Sequence, residues 1–384
     1  MIKKLDFPSN NRACVMIPHM GAGNMPDFDT IKSTLQSKGI TVLNPDLSRK
    51  EALKELPWDQ IGVIDLSNMR GCLTSFDKYL GILDRLHDFI ERETEGKQTI
   101  SMFPDYDDIK WIACKTKYLS FLEEHDVPII PTEHISSVKD PENASIIAQP
   151  DNIDHLLYQI YDFIGESPTN KFVLKPSTSS LGRGLVFIDY EKNTSTFNVT
   201  IPKEDEKPHE TQYRGHKSFV ERFLKPYFLN TASHDHRFLF QQYVNNLETS
   251  AIFINGTPHF VERTQGENSH IAHARFGGKD TIIETPELEL VEFVGRVMKA
   301  LPPNIRQSMF LRVDVMKNLD TQKYILSEIE GAGATRLWLK EANRTDDFAA
   351  MLQHCAISPH LPNKNTATAP TSDGTDAHAT NTIV

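Results

Sequence analysis

Short apolar runs alternate with amphipathic stretches through the first hundred residues, which is the pattern of strands joined by crossover helices. Residues 61–66 and 99–103 read as buried strands. Between them Phe76, Tyr79, Leu80, Leu83, Leu86 and Ile90 recur at helical spacing, so a helix covers that sheet. Beyond Pro104 the period over 109–122 predicts a helix, and 127–131 a short strand stopped by prolines. A helix over 151–164 leads into an apolar strand ending at Lys175, a Ser/Thr/Gly loop from Pro176 to Gly184, and a strand over 185–190. The stretch 191–215 carries few large apolar residues and is expected to be an exposed, mobile insertion. A strand starts at Phe238, and 250–254 with 259–263 then form a hairpin closed by Asn255-Gly256, the preferred two-residue turn. The remaining pattern predicts a helix over 288–301, a second hairpin of 309–316 with 324–330, and a closing helix over 338–352. The polar, aperiodic end of the chain is expected to be a disordered tail.

With 384 residues, 39% apolar and 24% charged, the chain has the length for two or three cores. Its formal net charge of -11 makes the average surface repel phosphate backbones, and no concentrated basic patch is visible, so no nucleic-acid partner is expected. Cys14, Cys72, Cys114 and Cys355 are scattered and form no CxxC pair, which suits a reducing cytoplasm. No secretion signal is read, and no run approaches the ~18 apolar residues that span a bilayer, so no membrane partner is expected either.

A lysine leaving a strand beside a loop of free backbone N–H groups, as Lys175 does, suits a polyphosphate; such loops also simply close hairpins. Neither GxxxxGK[ST] nor GxGxxG occurs. In Leu311-Arg312-Val313-Asp314-Val315, strand alternation puts Arg312 and Asp314 on one face, and Glu328 and Glu330 likewise share a face. If these strands pair, three carboxylates and an arginine converge. Acids that close repel by about 4 kcal/mol per pair, at ~4 Å and an effective dielectric of ~20, unless cations lie between them. Mg2+, held by a few carboxylates and by substrate phosphates, is the cation this points to; the alternative is a solvated outer face of an edge hairpin. The strand from Phe238 runs into a linker suited to receive adenine through the backbone at Gln242, Tyr243 and Val244, with Arg263, like Arg312, facing the phosphates; taken singly, each is more often a plain core strand or a surface arginine. His234, His236, His270 and His273 lack the four-ligand spacing of zinc sites, although His270 or His273 could meet a substrate. Gly-x-Ser-x-Gly does not occur, and no enzyme nucleophile is indicated.

The order of these elements over residues 100–340 resembles the ATP-grasp superfamily, in particular its glutathione synthetase and ribosomal-protein glutamate ligase branch and the cyclo-ligase of cycloserine biosynthesis. The resemblance implies an α/β (α+β) fold with an N-terminal α/β lobe over 1–108, a small lid lobe with a glycine-containing flap over 109–240, and a large lobe with the metal site over 241–356, before the tail 357–384. It implies that Lys117, in the helix before Val127-Pro128-Ile129-Ile130-Pro131-Thr132, contacts ATP phosphates, as does Lys175. Ser179, Ser180 and Gly182 then belong to the flap, Gln242, Tyr243 and Val244 to the adenine hinge, and Glu248 meets ribose or substrate. Arg263 and Arg312 take catalytic roles, and Asp314, Glu328 and Glu330 hold two Mg2+, with Mn2+ able to substitute. Phe276-Gly277-Gly278 matches a substrate-side loop, which makes Arg275 a further substrate candidate. Many relatives place Asn where Glu330 stands, and the cyclo-ligase branch continues with Glu-Pro where this chain has Gly331-Ala332-Gly333-Ala334. The implied activity is the Mg-ATP-dependent joining of a small amino-acid-type carboxylate to an amine through an acyl phosphate. An intramolecular cyclo-ligase, a small-molecule kinase and a non-catalytic nucleotide-binding regulatory protein are the alternatives, and a homodimer would be unsurprising.

Overall fold

The computed structural model describes residues 14–19, 28–66, 76–94, 100–136, 152–178, 184–203, 207–231, 237–266, 271–272, 277–308, 310–331, 339 and 344–357. Strand β1 (Cys14–Met16), helix α1 (Phe28–Ser37), β2 (Thr41–Leu43), β3 (Ile61–Asp65), α2 (Phe76–Thr94) and β4 (Ser101–Phe103) follow in chain order. The strands form a parallel sheet of order β2-β1-β3-β4, with α1 and α2 as its crossovers, the arrangement that alternating apolar runs and amphipathic helices require.

The helix expected over 109–122 is broken at Ala113 and Cys114 into α3 (Tyr106–Ile112) and α4 (Lys115–Glu124). The short strand expected at 127–131 shrinks to a single bridge between Ile129 and Leu326, because Pro128 and Pro131 have no N–H to extend a ladder. Strand β5 (Thr132–Ser136) and helix α5 (Asn152–Glu166) come next, then β6 (Lys171–Pro176), β7 (Val186–Glu191), β8 (Thr196–Ile201) and β9 (His209–Arg214). A helical run α6 over 216–230, π-wound across Val220–Leu224, precedes β10 (Arg237–Gln242). These six strands make an antiparallel sheet of order β5-β10-β6-β7-β8-β9. Phe172, Leu174, Val186, Ile188, Phe197 and Val199 share its inner face, packed against Ile160 and Ile164 of α5 and Phe219, Phe223 and Phe228 of α6. The stretch 191–215 is therefore no mobile insertion: it supplies β8 and β9. Phe197, Val199 and Ile201 alternate at period two, and a strand with one covered face needs no more apolar residues than that.

The third sheet has order β13-β12-β11-β14-β15, from β11 (Asn246–Ile254), β12 (Thr257–Thr264), β13 (Lys279–Ile283), β14 (Phe310–Asn318) and β15 (Tyr324–Glu330). Asn255 and Gly256 close the β11–β12 hairpin with both φ positive, 48° and 77°, as the primed turn demands. Ala251, Phe253, Leu311, Val313 and Val315 pack under α7 (Leu288–Ala300) through Leu290, Phe293, Val294 and Val297. The closing helix α8 (Thr345–Ile357) overlaps the helix expected over 338–352, of which 338 and 340–343 lie outside the described residues; it returns to the first sheet, where it packs on α1, β1 and β3. Its Phe348 and Leu352 join Val15 and Val63 with Ile252 and Phe310 in one core, so the first and third sheets are built around shared apolar residues. No helix among the described residues is long and apolar enough to cross a membrane.

Asp108 of α3 is buried and accepts a hydrogen bond from Asn304 in the turn Pro303–Arg306, clasping the α3 segment to the third sheet's helical layer. Burial pushes its carboxyl up to about 6, against the pull of the Asn304 amide. A folded-state pKa above the unfolded one means that this group favours folding when protonated and loses that contribution as pH rises through about 6. Asp108→Asn keeps an acceptor for Asn304 and removes the charge. At pH 7.5 it is expected to be neutral or stabilising by up to about 1 kcal/mol, with the difference from wild type closing toward pH 5. Urea midpoints at the two pH values measure this, and a clear loss of stability at pH 7.5 would show that the ionised carboxylate is what holds the clasp.

Candidate active site

The pairing of the third sheet sorts its charged side chains into rows on the face opposite α7. Asp280, Arg263 and Glu248 lie across β13, β12 and β11; Ser250, Asp314 and Glu328 across β11, β14 and β15; Ile252, Arg312 and Glu330 one step further along. A bulge after Asp314 leaves Ser327 without a partner in the register. That extra residue lets Leu326 and Ile329, three positions apart, both enter the core under α7 while Glu328 and Glu330 point the other way. Asp314, Glu328 and Glu330 thereby bring one carboxylate oxygen each to within 4.8 Å of one another.

Cations interleave with these acids. The Arg312 guanidinium donates through Nε and Nη2 to the two oxygens of Asp314, at 2.9 and 2.8 Å, and lies 2.8 Å from Glu330. Ser250 donates to Asp314 at 2.7 Å. Arg263 is 2.6 Å from Glu248, 3.6 Å from Asp314 and 3.7 Å from Asp280. Burial alone would raise the Asp314 carboxyl, yet Arg312 and Arg263 outweigh it and hold the group below the usual carboxylate range. Glu248 and Glu330 go the other way: burial pushes each up to about 7, against the pull of Arg263 on the one and Arg312 on the other. An all-oxygen set of this spacing fits a hard divalent cation such as Mg2+.

Helix α4 enters from the side. Its first N–H, at Lys115, bonds the Ser177 carbonyl at 3.3 Å, which ties the helix start to the end of β6 and to Lys175. One turn on, the fully buried Tyr118 hydroxyl accepts the Ile329 N–H of β15 at 3.3 Å. Between these two anchors the buried Lys115 reaches Glu328, with Nζ 3.0 Å from the carboxylate. Lys117, the residue expected to contact phosphates, is exposed instead. Two residues along a helix are roughly 200° apart around its axis, so Lys115 and Lys117 cannot face the same cleft. The signal that distinguishes them was present in the sequence: Lys115 shares the stripe of Tyr118, Leu119 and Leu122, and Lys117 does not. Lys175 lies on the same side as the acids; burial lowers its pKa, while Glu328 opposes that shift and Lys115 adds to it.

At the far end of β10 the Gln242 N–H bonds the Pro131 carbonyl at 3.1 Å and the Tyr243 N–H bonds the Lys171 carbonyl at 2.8 Å. In an antiparallel ladder the residue opposite would return a bond to the Gln242 carbonyl, but Pro131 carries no N–H. The Gln242 carbonyl, at the end of β10 and two residues before Val244, therefore receives no returning bond from Pro131. Ser179, Ser180, Gly182, Arg275, Phe276 and the four histidines singled out from the sequence lie outside the described residues.

No family profile matches the sequence. No curated protein matches it either. Solved structures do. D-cycloserine synthetase DcsG superimposes with a TM-score of 0.59 at 16% identity, covering 89% of this chain and 99% of its own. The ATP-grasp ligase PsnB, solved with a minimal precursor, Mg and ADP, gives 0.54 at 10% identity over 91% and 99%. D-alanine–D-alanine ligase from Bacillus anthracis, in complex with ATP, gives 0.51 at 14% identity over 90% and 98%. Likeness that spans nearly the whole of each of these proteins, together with two antiparallel sheets facing one cleft beside a parallel one, means that this chain has the ATP-grasp fold.

Proposed function

We propose that the protein is an ATP-dependent carboxylate–amine ligase that activates a small amino-acid-type or peptide-type acid as an acyl phosphate and joins it to an amine. The observation that carries this reading is the meeting of Asp314, Glu328 and Glu330 with Lys115 and Lys175 across one cleft. Such a pairing of acids and ammonium groups suits a metal-bound triphosphate. The relatives in fold, named for D-alanine, D-cycloserine and a precursor peptide, support the amino-acid character of the substrates.

In this reading the Gln242 carbonyl accepts the adenine amino group and the Val244 N–H donates to the ring nitrogen beside it. Glu248, fixed by Arg263, faces the ribose. Lys115 and Lys175 hold the phosphate chain. Mg2+ bound by Asp314, Glu328 and Glu330, as two ions or with Mn2+ in its place, supplies neutralisation of the phosphate oxygens. The substrate carboxylate oxygen attacks the γ-phosphorus and displaces ADP; the amine nitrogen then attacks the acyl carbon, loses a proton and releases phosphate. Arg312, gripped by Asp314 and Glu330, presents fixed positive charge beside the acid's path, and catalysis is chiefly positioning and charge neutralisation.

An ADP-release screen of amino acids and short peptides with Mg-ATP tests this. ADP release that requires both a carboxylate and an amine is the expected result, with amide product in equal amount. ATP should be preferred to GTP by at least about tenfold, because guanine presents an acceptor and a donor where the hinge needs the reverse. Phosphorylated product without amide would replace the ligase reading with a kinase.

A further inference from the structure

Acidic and basic side chains interleave around the cleft. Glu248, Asp314, Glu328 and Glu330 meet Lys115, Arg263 and Arg312 in ion pairs within the third sheet and from α4, and Lys175 of β6 lies close enough to Glu328, Glu248 and Asp314 to feel their charge. Within that set Lys115 has a particular position. It is buried, it lies 3.0 Å from Glu328, and Glu328 is one of the three carboxylates that share the oxygen cluster. A cation entering that cluster takes Glu328 from Lys115. Its buried ammonium, next to Lys175, then has one counter-charge fewer, a loss that an incoming anion offsets. A phosphate oxygen is such an anion. The same arithmetic holds in reverse, because a phosphate that draws Lys115 away exposes Glu328 and creates the demand for a metal ion.

We propose that Lys115 is an internal counter-ion latch: it competes with a metal ion for Glu328 and exchanges Glu328 for phosphate, so that the divalent cation and the nucleotide bind as a coupled pair and neither binds well alone. This rests on the nucleotide reading of the site and adds to it a positioning role for one residue. By linkage the coupling is reciprocal, so ADP must tighten the metal by the factor by which the metal tightens ADP.

The test is a titration of the full-length protein with Mn2+, followed by the electron paramagnetic resonance of the free ion, with and without ADP, and of metal-free ADP by calorimetry. In the wild type, ADP should tighten Mn2+ at least about tenfold after allowance for the Mn-ADP formed in solution. Lys115→Met, which removes the competing ammonium, should bind Mn2+ alone about tenfold more tightly than wild type, bind metal-free ADP about tenfold more weakly, and lose most of the coupling. Lys115→Arg keeps the charge and should keep the wild-type pattern. An unchanged affinity for Mn2+ alone in a folded Lys115→Met protein overturns the latch. So does a wild type that binds Mn2+ equally well with and without ADP, a result that stands even if the methionine variant does not fold. A wild type that binds no Mn2+ and ADP together overturns the nucleotide reading itself, which separates the two failures.

Discussion

Asp314→Asn is expected to lower the rate of ADP release by about two orders of magnitude, the size seen when one pre-set electrostatic group is taken from a phosphoryl- or acyl-transfer site. Three features make this residue more sensitive than its neighbours. It is the most buried carboxylate of the cluster, it receives both arms of Arg312, and Arg263 and Ser250 also converge on it. Asparagine retains an oxygen for Ser250 and for one arm of the guanidinium, so the backbone of β14 has no reason to move. It does leave Arg312 and Arg263 in the protein with one anion fewer, and a stability loss of about 2 kcal/mol should accompany the loss of rate. A coupled ADP assay under saturating substrates measures the first, and a urea midpoint with far-ultraviolet circular dichroism the second. Undiminished ADP production in a folded Asp314→Asn protein would remove this carboxylate from the metal site.

What could be read from the sequence was what depends on local period and turn chemistry. Asn255-Gly256 announces its hairpin because few other dipeptides take two positive φ angles. The Arg312/Asp314 and Glu328/Glu330 pairs announce a charged face because strand alternation is fixed by geometry. The bulge after Asp314 was not legible: it arises from the competing need to bury Leu326 and Ile329, which involves the partner strand and α7. Nor was the break at Ala113 and Cys114, which is held by the bond from Lys115 N–H to Ser177 and by the packing of Tyr118 against β15, both contacts across large sequence separations. That break starts α4 at Lys115, but the choice between Lys115 and Lys117 was legible without it, in the stripe that Lys115 shares with Tyr118, Leu119 and Leu122. Strand β8 was hidden for a different reason: with one face open to solvent it carries polar residues at every second position, and a low apolar count looks like a loop unless the alternation is weighed instead; β9, at the edge of the sheet, is polar except for Tyr213 and carries no apolar period to read.

Gly62→Ala is expected to be among the most destabilising single-methyl additions in the chain, at about 3 kcal/mol, although Gly62 is remote in sequence from every charged residue discussed above. A Cβ at this point of β3 would stand 2.2 Å from the Ala356 carbonyl oxygen and 2.8 Å from that residue's carbonyl carbon and Cα. All three are backbone atoms of α8, so no rotamer change relieves the contact; the helix itself must retreat from the sheet. Retreat would open the core that Phe348 and Leu352 share with Ile252 and Phe310, and these last two belong to the strands that carry Ser250, Arg312 and Asp314. The substitution should therefore lower the urea midpoint and weaken substrate turnover together. Ala356→Gly should not rescue it, because the side chain of Ala356 is not what is struck. Gly81→Ala in α2 is the contrasting case: nothing lies within 4 Å of its Cβ position, and restricting the unfolded chain should stabilise the protein by roughly 0.5–1 kcal/mol. Similar effects from the two substitutions would mean that chain entropy, and not the close approach of α8, governs Gly62.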